Sequence, residues 1–414
     1  MGQSDKALSD GQYVPSPGAT ALKLLSYSYA NDWAGYDPYD ALNSRLLSLP
    51  FLNTKIARLA LTQAMKRSAI NLRPLLLVPK TQNPKALSLF LTSLLKLSRL
   101  GLLKKEPQAA ALVNRLITLR SPGTPYWCWG YSFPWQTRTV LVQRGAPNLV
   151  CTVFVANSFL DAYEQLGDSS YLEMAASACE YLVKELFYTE PDGVASFSYP
   201  LPGLQTKVHN ANLLAAAVLS RVYHHNGDAR LLDPALQAAR YSASKQADDG
   251  SWPYGELPNQ DWIDNFHTGY NLNALRTIQR YSGTTEFESH LRRGFEFYRK
   301  HFLREDGAVR YFHNSTYPID IHCIAQSILT LLEFQDLYPS NINLVRSTYD
   351  WTMRHMWDKA GFFYYRVLRT IKIRTSYMRW SQAWMLLTLA TLAEQNGREI
   401  APNSEPQSLA QALA

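Results

Sequence analysis

From Lys85 onward, long apolar segments alternate with amphipathic ones of similar length. Val208 to Ser220 reads VHNANLLAAAVLS, apolar on nearly every side after its first turn, and the segments opening at Lys85, Val150, Phe266, Ile321 and Met378 behave likewise. A helix that is apolar almost all round is a buried helix. Between them, Thr284 to Phe302 places Phe287, Leu291, Phe295, Tyr298 and Phe302 at helical spacing, with Glu, Arg and Lys elsewhere. Tyr171 to Phe187, Leu231 to Gln246 and Asn341 to Trp357 have the same character. The pattern predicts a unit of one buried helix, a short loop, one surface helix and a second loop.

The unit repeats. His209, His267 and His322 recur at intervals of 58 and 55 residues, and Arg379 follows after 57. Gly193, Gly250, Gly307 and Gly361 keep a similar beat upstream, at 57, 57 and 54. A period of this size marks repeated supersecondary units. With Asn53 to Lys66 expected as the sixth surface helix, six hairpins predict an all-α fold, an (α/α)6 toroid. Its expected span is residues 20–396, with loose tails at 1–19 and 397–414. In such a ring the Gly loops and the N-termini of the buried helices share one end. Unsatisfied N–H groups and positive dipole ends make that mouth attractive to anions.

The residues expected there carry the chemistry. The loop before Cys151 brings Trp129, Tyr131, Trp135 and Arg138, and later loops bring Trp252, Tyr254 and Glu256. Asn212, Asn271, Gln326 and Gln382 follow His209, His267, His322 and Arg379 by three or four residues, on the same helix faces. Polar groups on apolar helices cost stability unless bonded, so they either bond one another or converge on a ligand. Asp264 and Asp320 stand where they could cap helices or act chemically. A base and an acid flanking a sugar ring, with Asn, Gln or Arg neutralising its carboxylate, suit a uronate lyase or C5-epimerase. His209, His267, His322, Tyr270, Asn212, Asn271 and Arg379 offer those parts. A glycoside hydrolase would instead use two carboxyls about 5–9 Å apart, from Asp264, Asp320 and Glu256. A binding or assembly protein would need only the aromatic mouth.

Two further readings rank lower. Three His with Cys128 or Cys323 offer zinc ligands, yet no short-spaced ligand pair is present, so no cofactor is expected and a divalent metal is a lesser alternative. Gln246 to Trp252 looks like one QW-type motif of triterpene cyclases, without the aspartate-rich motif such enzymes need.

A net charge of +7 suits an anionic partner, but only 18% of residues are charged and there is no long basic run. An acidic glycan or lipid-linked saccharide fits better than nucleic acid. Four cysteines without a pairing pattern point to a reducing compartment. With neither an apolar signal core nor a membrane-length apolar run, the expected location is cytoplasmic. Nothing in the sequence sets the oligomeric state.

Several stretches resemble a family: Gly35-Tyr36-Asp37-Pro38-Tyr39-Asp40, Asn71-Leu72-Arg73-Pro74, Cys128-Trp129-Gly130-Tyr131, Val208-His209-Asn210-Ala211-Asn212, Asp249-Gly250-Ser251-Trp252, Asp264-Asn265-Phe266-His267-Thr268-Gly269, Asp320-Ile321-His322 and Tyr377-Met378-Arg379-Trp380. Together they resemble the VpsJ-like polysaccharide biosynthesis proteins, of six-hairpin glycosidase-like type. The resemblance implies the toroid and a setting in exopolysaccharide or surface-glycan synthesis. It carries no catalytic residues over to this chain.

Overall fold

The computed structural model describes residues 14–48, 54–103, 107–137 and 140–397. Its helices are α1 (Pro17–Ala30), α2 (Lys55–Arg67), α3 (Pro84–Arg99), α4 (Pro107–Thr118), α5 (Leu149–Leu166), α6 (Ser169–Tyr181), α7 (His209–Asn226), α8 (Ala229–Ser244), α9 (Asn265–Ser282), α10 (Glu288–Phe302), α11 (Ile321–Glu333), α12 (Asn341–Met356) and α13 (Trp384–Gly397). A π-helical turn, Met378–Ala383, leads directly into α13.

The apolar helices form the inner ring. α3, α5, α7, α9, α11 and α13 each pack on the next, and α13 returns to α3. The amphipathic helices α4, α6, α8, α10 and α12 lie outside, so the fold is the (α/α)6 toroid. Short antiparallel strand pairs and one three-stranded sheet decorate the loops that lead from outer to inner helices. In those loops the glycines have a steric reason. Gly250 has φ +89° and a Cβ there would meet Arg293 O of α10 at 2.3 Å; Gly307 has φ +86° and would meet Ser347 O of α12 at 2.4 Å. Each turn lies against the backbone of the next outer helix, which only glycine permits.

The sixth outer helix is not the expected one. α1 fills that place, packed on α13, with Thr20 Oγ1 and Tyr349 OH of α12 sharing a hydrogen bond of 2.8 Å. The physical reason is burial: α1 buries Thr20, Ala21, Leu24, Leu25 and Ser28, whereas α2 buries only Thr62 and Met65. α2 instead packs on the turn Asp40–Asn43 and the strand Trp135–Gln136, in a plate at the mouth. Residues 16–19, expected in the N-terminal tail, belong to α1 and its cap, Ser16. Residues 1–13 and 398–414 lie outside the described residues.

The plate is joined to the ring by buried charge. Arg73 donates to Asp40 Oδ1 at 2.6 Å, to Tyr377 OH at 2.8 Å and to the Asp37 carbonyl at 2.7 Å. Asp37 in turn accepts both Nε and Nη2 of Arg379, at 2.6 and 2.8 Å. Buried pairs of this kind, bidentate for Arg379 and Asp37, fix orientation more than they add stability. They dock the plate over the N-termini of the inner helices.

Candidate functional site

Four of the six inner helices are capped by an Asn or Asp side chain, and the N-cap positions set the register of the site. The residues at the N-cap are Asn83, Asn148, Val208, Asp264, Asp320 and Tyr377. Two positions further on stand Lys85, Val150, Asn210, Phe266, His322 and Arg379, and all six line one cavity of about 390 Å³ at the mouth. Its walls are completed by Tyr39 and Lys66 of the plate and by Tyr131, Phe133, Trp135, Tyr199, Tyr254, Trp262, Tyr311 and Phe312 from the loops. Asp264, His267, Tyr270 and Trp380 complete the lining.

This register corrects the apparent alignment of the histidines. His209 lies one residue after its cap and His267 three residues after, so they do not occupy equivalent positions. His209 is sealed from the cavity, 1% exposed, with neither ring nitrogen hydrogen-bonded. Its nearest charge is Glu256 Oε1 at 4.0 Å, and burial lowers its pKa to about 4.

His267 and His322 both lie beside one aromatic ring. Their centroids lie 4.0 and 4.8 Å from that of Phe266. Asp264 holds His267 in place: Oδ1 accepts the His267 backbone N–H at 3.0 Å, and Oδ2 lies 2.8 Å from Nδ1. Trp262 Nε1 donates to the same Oδ2 at 3.2 Å. The carboxylate thus caps α9, selects the ring orientation and leaves Nε2 for the cavity, the arrangement that stabilises an imidazolium formed during proton transfer. His322 has a different partner, with Nε2 2.7 Å from Tyr270 OH. Burial, then the nearby Lys85 and Arg379 cations, hold its pKa well below the usual range, so it is neutral. Tyr270 is raised well above its usual value by burial and stays protonated.

Lys85 is the residue that sequence reading missed. It is 3% exposed, and Nζ sits over Phe154 at 3.9 Å, Trp384 at 5.3 Å and Tyr270 at 5.5 Å. No side chain or carbonyl among the described residues accepts a hydrogen bond from Nζ. Burial, then Arg379, push its pKa well down. Three buried polar atoms in the wall lack partners: Trp135 Nε1, Asn210 Oδ1 and His322 Nδ1. Buried polar groups are normally bonded, so unmet donors and acceptors converging on a cavity mark a place for a polar ligand. Tyr39, Lys66, Asn210, Phe266 and Trp380 were also missed; counting two residues from each N-cap finds Asn210 and Phe266, as it does Lys85.

Several expected site residues belong to the scaffold instead. Asp320 is fully buried, caps His322 N at 2.9 Å, accepts Trp380 Nε1 at 2.9 Å and pairs with Arg366. Asn212 bonds Phe197 N, Ala238 O and Ser242 Oγ, tying α7 to α8. Gln382 clamps both backbone groups of Phe363 at 2.9 and 2.8 Å. Trp129 and Trp252 are buried and donate to Leu116 O and Ser242 O. Glu256 accepts from Tyr241 OH at 2.5 Å, outside the lining. Gln326 bonds Thr330 at 3.0 Å and faces a separate cavity at the opposite end of the ring. Asn271 is buried among the inner helices, outside the mouth lining. Arg138 lies outside the described residues.

Gln246 of the QW-like stretch donates to Gly250 O and His290 O, joining α8 to α10. That is a structural duty and owes nothing to terpenoid chemistry. Among the described residues no three His, Cys, Asp or Glu side chains gather as a metal site requires. Among them too, no helix is long and apolar enough to cross a membrane, and all four cysteines are free and buried.

No protein-family profile matches the chain, and no curated protein matches it. Solved structures do. The cellobiose 2-epimerase of Spirochaeta thermophila is 15% identical, with TM-score 0.56 over 77% of this chain and 86% of that one. The GH76 α-mannanase of Bacteroides thetaiotaomicron is 12% identical, with TM-score 0.58 over 75% and 86%. The Lin0763 protein of Listeria innocua is 13% identical, with TM-score 0.59 over 92% and 99%. At such identities the likeness establishes a shared six-hairpin toroid and leaves chemistry to the site itself.

Proposed function

We propose that the protein is a carbohydrate-modifying enzyme that moves a proton at a carbon beside a carboxylate. Its substrate is a uronate-containing saccharide, and the reaction is epimerase- or lyase-type. The observation that carries this reading is the composition of the cavity wall: two imidazoles lie beside Phe266, and the single carboxylate in the described lining, Asp264, is occupied by one of them. A glycoside hydrolase needs a second carboxyl facing the bond to be cleaved. Asp320 and Glu256 lie outside the lining, which disfavours that alternative. Histidines held by Asp264 and Tyr270 favour chemistry over a purely binding role.

The residues divide the work as follows. His267, oriented by Asp264, takes the proton from the carbon α to the substrate carboxylate. Negative charge then builds on that carboxylate, and Arg379, with Lys85 protonated once the substrate anion lies beside it, stabilises it. The neutral His322 and the protonated Tyr270 form the second proton-transfer group. Returning a proton to the opposite face of the same carbon gives the epimer. Giving it to a leaving glycosidic oxygen instead gives an unsaturated product. A setting in exopolysaccharide or surface-glycan synthesis fits the sequence resemblance, and the likeness to a cellobiose 2-epimerase fits proton transfer on a sugar.

The test is incubation with a panel of uronate-containing saccharides in deuterated water, read by NMR and ultraviolet absorbance. Deuterium at C5 or a new unsaturated uronate supports the proposal. Binding with neither outcome sinks it in favour of a binding protein.

A further inference from the structure

Charge is distributed very unevenly along this chain. From Ala41 to Leu160 there are sixteen Lys and Arg and a single acidic residue, Glu106, which leaves 25 basic and 33 acidic residues to the rest. Most of the plate at the mouth falls inside this stretch, its acids Asp37 and Asp40 lying just before it. The four most exposed large apolar side chains of the described residues are Ile56 at 80%, Leu75 at 75%, Ile70 at 73% and Leu77 at 52%, all of them in the plate. None belongs to the plate's own small core, which is Ala41, Met65 and Val78 with Tyr36, Leu61 and Leu76 against it. Lys55, Arg67 and Lys80 are exposed on the same plate, and no carboxylate of the described residues pairs with them.

Scattered exposed apolar residues are ordinary, but four on one cationic plate whose only acids, Asp37 and Asp40, are buried in ion pairs with Arg379 and Arg73 meet no folding need. A polyanion would use the cations and gain little from isoleucine and leucine. A protein partner would bury the apolar residues without requiring that acids be excluded. An anionic bilayer surface uses both, since apolar side chains enter the interface while each nearby Lys or Arg adds about 1 kcal/mol. We propose that the plate docks the protein peripherally on an anionic membrane surface. Lys66 of α2 lines the cavity, so docking sets the mouth beside the lipid headgroups. A saccharide carried on a lipid would then reach the cavity without leaving the membrane. The proposal stands on the plate alone and does not depend on the chemistry of the cavity.

The experiment is co-sedimentation of the full chain with phosphatidylcholine vesicles, with and without phosphatidylglycerol. The expected result is binding to the anionic vesicles that weakens with salt. The double variants Ile56→Glu/Leu75→Glu and Lys55→Glu/Arg67→Glu should each lower partitioning by roughly tenfold or more with an unchanged circular dichroism spectrum. Failure to bind anionic vesicles overturns the proposal. So does binding that the Ile56→Glu/Leu75→Glu pair leaves intact, which would signal attraction of a general polyanion binder. Self-association of the free protein, abolished by those same substitutions and without vesicle binding, would assign the plate to a second copy.

Discussion

Replacing Lys85 by methionine is expected to make the protein more stable while destroying its function. Lys85 is 3% exposed and lines the cavity, and its Nζ lies 3.9 Å from the Phe154 ring centroid with no hydrogen-bond acceptor among the described residues. An unsatisfied buried polar group costs about 1–3 kcal/mol, and methionine fills a similar volume without it. For a chain of 414 residues, that gain corresponds to a rise in thermal midpoint of about 1–3 °C. The effect also has a pH signature. The folded pKa of Lys85 lies well below the ordinary 10.5, so between those two values the unfolded chain binds a proton that the folded protein does not. Wild-type stability therefore rises with pH across that window. The advantage of Lys85→Met falls by about 1.4 kcal/mol per unit through it. Thermal melts of both proteins at matched pH values from neutral to about 10 measure the difference, in which other titrating groups cancel. A destabilised variant, or an advantage that ignores pH, would mean that Lys85 has a charged partner in the folded protein and is no vacant receptor.

Four other outcomes follow from the same geometry. His267→Ala should lower turnover by roughly 10²–10⁴-fold and cost no more than about 1–2 kcal/mol of stability, checked by steady-state kinetics beside thermal melts. Asp264→Asn removes the charge that stabilises an imidazolium at His267; kcat should fall with KM little changed, and an equal rise in KM would point to a binding role. Asn212→Ala should cost about 2–3 kcal/mol through its orphaned partners on α8 and the preceding loop, while the folded protein keeps its activity. Gly250→Ala should destabilise more than Gly193→Ala, because both have positive φ but only the former meets a backbone carbonyl; comparing their melting temperatures decides it.

The ring was legible in the chain because burial on all sides leaves a simple mark: the inner helices read as apolar runs, and the outer ones as stripes. Closure was less legible. α1 and α2 are both short and amphipathic enough to be outer helices, and only α1's contacts with α13 and Tyr349 decide between them. At the site, residue type alone misled. Asn212 and Gln382 share chemistry with ligand-binding amides, but their partners are backbone groups brought close only by folding. Lys85 stayed hidden for the opposite reason, since a lysine in a first helical turn reads as surface charge. The telling signal was position: the second residue after each cap points into the lumen on every inner helix. Counting from His to His crossed that register by one residue in each direction, which is why His209 and His267 part ways in space.

The most direct test compares deuterium incorporation by wild type, His267→Asn and His322→Gln, using one uronate saccharide in deuterated water followed by NMR. The account predicts incorporation at the carbon beside the carboxylate for wild type. It predicts a loss of at least roughly 10²-fold in each variant, with folding intact by circular dichroism. Undiminished incorporation in both variants would place the chemistry outside this cavity and contradict the account.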